Sequence, residues 1–395
     1  MLLIQNALVH APSPLGRKDL LIAADRILAI EDHIDAGRLP VPCEIIDARG
    51  QALAPGFIDG HVHVTGGGGE GGFRTRTPEL ALSTATAAGV TTVIGVLGTD
   101  GISRSVEALV AKTYALREEG ISAWCYTGSY RIPPVTVTGD VMKDIMMIDP
   151  VIGAGELAIS DHRSSRPTDA ELANVAAQAR VAGMLSGKAG VVNVHLGDAP
   201  EGLTPLQRIC AVGDLPMTQF IPTHCNRNPG LLAQAMDWAR SGGWVDFTCS
   251  TVPAFLDEGE TSAAESVARL KAEGIDLARA TVTSDGQGSL PSFNAAGVMT
   301  GLDIGSCSYL LAYLREATQR RGLSLEEALM PITFNPAAAL KLRQKGRIAV
   351  DMDADLVILT PDLKPEFVLA RGRVMVRDGR VVVPGTFEKM AAAAP

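Results

Sequence analysis

His61 and His63 stand two residues apart in HVHVTGGGGEGG (61–72), and His195, His224 and Asp285 each end a short apolar run. Imidazole with carboxylate is the donor set that zinc and similar borderline metals accept. Residues two apart on a strand point to one face, so His61 and His63 could share an ion while Val62 points away. Taken singly, each residue has an ordinary explanation. A histidine at a strand end can be a hydrogen-bonded structural residue, and Asp285 in SDGQG can form an Asx turn. The combination is what specifies chemistry. The glycine run with Glu70 could be a phosphate cradle, a linker or the wall of a site. It lacks the GK[ST] ending of a nucleotide loop and follows the histidine pair. Glycines there let the backbone pass close to a small ligand.

Those residues need a scaffold that brings distant strand ends together. Between about 56 and 345, apolar runs alternate with amphipathic segments: FIDGHVHV (57–64), TTVIGVLG (91–98), SAWCYTGS (122–129), ELAIS (156–160), VVNVHLG (191–197), FIPTH (220–224), WVDFTCS (244–250) and ATVTSD (280–285). Helical patterns intervene at 77–89, 105–120 and 264–274; Pro78 suits a first helical turn, and Thr168 with Glu171 has capping-box spacing. Eight buried strands alternating with helices predict an α/β fold, a (β/α)8 TIM-like barrel over 56–345. Barrel chemistry sits at the C-terminal ends of the strands, where the four histidines and Asp285 fall. Residues 1–55 and 346–390 alternate and turn like antiparallel strands. Neither end could bury a core alone, so together they predict a small flanking β-sandwich domain. The terminal AAAAP reads as frayed.

Composition narrows the function. In 395 residues, 46% are hydrophobic and 20% charged, which suits a well-packed globular chain. A net charge of -9 without Lys/Arg clusters argues against a nucleic-acid partner. No run approaches the ~20 apolar residues of a membrane span, and MLLIQNALVH lacks the basic start of a signal peptide. Six cysteines without CxxC spacing read as free thiols, which places the protein in the cytoplasm.

The pattern of HxH on strand one, His on strands five and six, and Asp on strand eight resembles the amidohydrolase superfamily. The runs GFIDGHVHVTGGGGEGG, RTPELALS, GVLGTDGISRS, EEGISAWCYTGSY, AISDHRS, PTHCNRN and TSDGQGS, spread over nearly the whole chain, are similar to those of bacterial isoaspartyl dipeptidases. The resemblance implies a binuclear zinc centre: His61, His63 and Asp285 on one ion, His195 and His224 on the other, with a shared hydroxide. It implies hydrolysis of the β-aspartyl peptide bond in dipeptides, with Asp285 carrying the proton to the departing amine. It also implies Glu70 on the substrate ammonium, Tyr130 on the oxyanion, and Arg163 and Arg227 on one carboxylate. Thr99, Ser289 and the backbone of Gly68 would hold the other carboxylate. A small dipeptide is then the partner, and a homo-oligomer is the implied assembly.

One ligand departs from the family pattern. Where those enzymes carry a carbamylated lysine in KxAISDHR, this chain has Glu156 in GAGELAISDHR, and the nearest lysines are Lys143 and Lys188. Glutamate supplies a two-oxygen donor on a shorter side chain, and the extra residue in GAGE could make up the reach. An ionised glutamate among apolar neighbours is costly without a cation, which favours Glu156 as the bridging ligand. Other amidohydrolase branches also use a glutamate there. Two alternatives stay open: another amidohydrolase, such as an N-acyl amino acid amidase or a deaminase, on the same metal site; and a non-catalytic protein on the same fold, which would be expected to have lost ligands.

Overall fold

The computed structural model describes residues 1–294 and 299–389. The AAAAP tail and residue 390 of the flanking unit lie outside that set. Eight parallel strands carry the centre of the fold: Phe57–Val62, Val90–Gly95, Ser122–Thr127, Val151–Ile159, Val191–Leu196, Phe220–Thr223, Val245–Thr248 and Ala280–Thr283. The first six form one sheet in chain order, and the last two pair with each other. The ring closes through backbone bonds at both joins. The Cys225 N–H donates to the Asp246 carbonyl at 3.1 Å, and the His63 N–H donates to the Gly286 carbonyl at 2.8 Å. Nearly every residue of these strands is buried on both faces, as parallel strands under covering helices must be.

Helix ends follow the chemistry of their caps. Thr168 and Glu171 form the expected capping box at the start of Asp169–Ser186, and the Ser105 hydroxyl accepts from the Ala108 N–H at the start of Val106–Glu119. Pro78 is not in a first helical turn. The helix there is confined to Leu82–Thr86, because the preceding backbone is used by its neighbours. The Pro78 carbonyl accepts from Gln287 Nε2 at 2.9 Å, and the Thr77 carbonyl accepts from the buried Arg104. After the eighth strand the chain adds an antiparallel hairpin, Ser289–Phe293 with Met299–Ile304, that no alternation in the sequence singled out. Among the described residues no helix is long and apolar enough to cross a membrane.

The chain ends meet in one nine-stranded sheet. Its seam is the antiparallel pairing of Ala52–Pro55 with Leu356–Leu359, which brings an N-terminal strand against a C-terminal one. Leu2, Ile4, Leu20, Ile27, Leu53, Leu356 and Leu369 form its apolar core. The sheet is locked to the barrel by one buried cation. Lys345 Nζ lies 2.6 Å from Asp353 Oδ2, donates to Ser122 Oγ at 2.6 Å and pairs with Asp355, whose other oxygen accepts the Arg371 N–H. Ser122 opens the third barrel strand, so the ammonium spans both units.

Removing one partner of a buried ion pair leaves the other charge uncompensated. Lys345→Met is therefore expected to lower the free energy of unfolding by about 3–5 kcal/mol, measured by chemical denaturation.

Candidate metal centre and substrate mouth

His61 lies near the end of the first barrel strand and His63 just beyond it, with their ring centroids 5.5 Å apart. His224 and Asp285 take left-handed backbone conformations, at φ 63° and 50°. For residues other than glycine this geometry is uncommon and clusters at functional sites. Buried polar groups hold both turns. His224 Nδ1 is 2.5 Å from Thr248 Oγ1, and the Ser284 N–H and hydroxyl both bond the Asp59 carboxylate. His195 closes the ring, its centroid 4.6 Å from that of His224.

Glu156 sits at the centre, fully buried. Its Oε1 lies 2.9 Å from His195 Nδ1 and 3.5 Å from His224 Nε2, and its Oε2 lies 3.5 Å from His61 Nε2. The short side chain reaches because the strand bulges. Val192 stands opposite Ala154 and Val194 opposite Leu157, so Gly155 and Glu156 together oppose Asn193. The extra residue of GAGE is that bulge. Gly155 has φ +148°, and a Cβ there would fall 2.8 Å from Asn193 Cβ and carbonyl oxygen, so only glycine fits. Lysine has no access: Lys188 Nζ donates to the carbonyls of Ile145, Ile148 and Val151, and Lys143 is exposed.

The donors fall into two groups compact enough for an ion, His61 with His63 and Asp285, and His61 with Glu156 and His224. Both nitrogens of His61, Nδ1 of His63, Oε2 of Glu156 and Oδ1 of Asp285 are buried without a hydrogen-bond partner. Orphaned buried polar atoms are rare in a folded protein, and here three of them converge, His61 Nε2 lying 3.5 Å from Glu156 Oε2 and 3.7 Å from Asp285 Oδ1. Electrostatics ask for a cation at the same point. Burial opposes charge on His61, but the Glu156 carboxylate outweighs it and lifts its pKa to about 9. Burial likewise opposes ionisation of Glu156 and Asp285. The charge of His61 and bonds from the other histidines hold Glu156 well below the usual carboxylate range, and His63 brings Asp285 to about 2. These residues fit a divalent metal centre. His195 stands beside the second group with its nitrogens on Glu156 and on Asp161.

Above this floor lies a mouth of about 770 Å³, walled by Glu70, Arg163, Arg227 and Ser289, with His224 and Asp285 at its base. Glu70 accepts from Thr99 Oγ1 at 3.0 Å and from Ser289 Oγ at 3.3 Å, and Arg163 Nη1 lies 3.5 Å away. Thr99 and Ser289 thus meet Glu70 itself. The glycine loop is shaped from beneath by Arg104, which donates to the carbonyls of Gly66, Gly67 and Thr77. At Gly66, with φ +80°, a Cβ would fall 2.3 Å from the Thr77 carbonyl oxygen, and Gly68 packs against Ser289. Tyr130 is buried beside the mouth, its hydroxyl 2.8 Å from His195 Nδ1 and its ring under the Arg163 guanidinium. Arg227 Nη1 lies 3.7 Å from Asp198, which lines the same mouth. Sequence reasoning missed Arg104 and Thr248 entirely and gave Asp161 no role at the site. Nothing in their spacing marks them, since each acts through a neighbour distant in the chain.

The amidohydrolase family model matches residues 251–382. Allantoinase from Enterococcus faecalis (strain ATCC 700802 / V583) is 25% identical over 96% of this chain and 92% of its own. The β-aspartyl dipeptidase of Fervidobacterium islandicum AW-1, solved in complex with a β-Asp-Leu dipeptide, is 44% identical, covering 96% of this chain and 97% of its own at a TM-score of 0.90. D-hydantoinase from Thermus sp., 18% identical at a TM-score of 0.67 over 98% of each chain, shares the fold alone. With 44% identity along almost its full length, the chain belongs to the β-aspartyl dipeptidase family of amidohydrolases.

Proposed function

We propose that the protein is a metallo-dipeptidase that hydrolyses β-aspartyl (isoaspartyl) dipeptides. The observation that carries this reading is the mouth: Glu70, 3.5 Å from Arg163, shares a wall with Arg163 and Arg227 above the histidine and carboxylate floor, with Asp198, Glu258 and Glu260 lining the same cavity. A β-aspartyl dipeptide has one ammonium for Glu70 to meet and two carboxylates for which the wall offers two guanidinium groups. The similarity to an enzyme solved with β-Asp-Leu supports the same substrate.

His61, His63 and Asp285 would hold one zinc ion, and His195 and His224 the second, with Glu156 between them. When bound, the ions supply an acidified water near neutral pH and polarise the scissile carbonyl. Asp285, ionised at that pH, accepts a proton from the attacking water and delivers it to the departing amine. Tyr130, whose hydroxyl stays protonated because burial and then Glu156 raise its pKa, turns from His195 to donate to the oxyanion. Glu70 exchanges its Arg163 contact for the substrate ammonium. Arg163 and Arg227 fork the carboxylate of the leaving residue, and Thr99 and Ser289 turn from Glu70 to take the other together with the Gly68 N–H. Six free cysteines, four of them buried, support a cytoplasmic setting. The family resemblance supports a homo-oligomer.

A second reading, an N-acyl amino acid amidase, rests on 41% identity over 90 residues to N-acyl-D-aspartate deacylase from Alcaligenes xylosoxydans xylosoxydans. That match covers 23% of this chain and 15% of the deacylase. N-acyl substrates have no ammonium for Glu70 to meet. Turnover of β-Asp-Leu should exceed that of N-acetyl-aspartate by orders of magnitude; the reverse order would select the amidase. Tyr130→Phe should lower kcat about 10²–10³-fold at full zinc content, the loss typical of one oxyanion donor, and an unchanged kcat would remove Tyr130 from the reaction. Glu156→Ala should drop the zinc content measured by atomic absorption from two ions per chain to one or none. Two ions retained with full activity would exclude a bridging role.

A further inference from the structure

Asp161 lies two residues beyond the fourth barrel strand and is 7% exposed. Its carboxylate has four partners on two different groups. Oδ2 accepts from His195 Nε2 at 2.8 Å and from Arg163 Nη2 at 2.7 Å. Oδ1 accepts from Arg163 Nε at 3.0 Å and from the Arg163 backbone N–H at 2.7 Å. His162, exposed, has Nδ1 3.6 Å from Oδ1, and Arg163 Nη2 lies 3.2 Å from His195 Nε2, so the three groups meet at this carboxylate. One buried carboxylate therefore joins a metal-facing imidazole to a guanidinium in the substrate wall.

We propose that Asp161 is a positioning residue that couples the metal centre to the arginine receiving the substrate carboxylate. The inference rests on the metal and substrate assignments above. Two separate effects follow from the one side chain. Accepting the Nε2 proton fixes the tautomer of His195, so the Nδ1 lone pair faces Glu156 and is available to an ion. Taking Nε and Nη2 of Arg163 in a fork leaves Nη1, the edge toward Glu70, as the free donor. It also holds a flexible side chain in one pose over Tyr130, 5.4 Å from the ring centroid. Asp161 touches neither substrate nor the reacting atoms.

The test uses the full-length zinc-loaded protein. In Asp161→Asn, zinc affinity measured by competition with a chromophoric chelator should fall about 10–100-fold, the usual effect of losing a carboxylate behind a metal-bound histidine. KM for β-Asp-Leu should rise together with it. Arg163→Gln should raise KM and leave zinc affinity within twofold of wild type. The double variant should show a KM no higher than the worse single variant, since both changes disable one arm. Wild-type zinc affinity in folded Asp161→Asn would overturn the proposal, as would KM effects that multiply. Should Asp161→Asn fail to fold, Asp161→Glu keeps the charge but displaces both oxygens, and must weaken zinc and raise KM; wild-type values there also overturn it. The zinc measurement needs no substrate. A protein inactive on β-Asp-Leu would thus sink the dipeptidase reading while the chelator assay still judged Asp161.

Discussion

A carboxylate sealed from water among three imidazoles sets the terms for the rest of this molecule. Glu156 is fully buried, and an isolated carboxylate in such a place is so costly that it would normally take up a proton. Here it does the opposite, because three histidines approach it and one of them, His61, is itself drawn toward the cationic form. The histidines cannot relieve the site fully. His61 Nε2, Glu156 Oε2 and Asp285 Oδ1 converge without hydrogen-bond partners, and the donor groups are compact enough to hold an ion. The barrel supplies the enclosure, and the metal reading follows from the charge that the enclosure demands.

The backbone is bent to serve that centre. A one-residue bulge lets a side chain shorter than a carbamylated lysine reach the middle of the barrel, at the cost of a glycine that no other residue can replace. His224 and Asp285 sit in left-handed turns stabilised by Thr248 and Asp59 from other strands. Strain of this kind persists only where surrounding contacts over-determine it. Above the floor, Glu70 and Arg163 face each other across 3.5 Å. In the proposed assignment each exchanges its neighbour for a substrate group of the same charge sign as that neighbour, so binding replaces one ion pair with two.

Legibility varied along the chain for physical reasons. The eight barrel strands were readable because strands buried on both faces must be apolar throughout, whatever packs against them. The fourth was read only from ELAIS onward, since the small residues of VIGAG carry no β-branched or aromatic signal beyond Val151 and Ile152. The stretch at Pro78 resembles a helix start by composition, yet its carbonyls are claimed by Gln287 and Arg104, partners far away in sequence. The metal-facing histidines were legible because HxH and strand-end histidines are local patterns. Asp161 stood in plain view in ISDHR and still could not be weighed, because its meaning is His195, 34 residues on.

The sequence by itself determined which residue types stand at strand ends, the alternation that makes a barrel, and the exchange of lysine for glutamate at position 156. These are properties of local order, and local order survives in a string of letters. Only the tertiary structure decided whether that glutamate reaches its histidines, that Lys345 clasps the sheet to the barrel, and that Thr99 and Ser289 meet Glu70. Each of those is a distance between residues separated along the chain, set by strand register and close packing, and none is written in spacing alone.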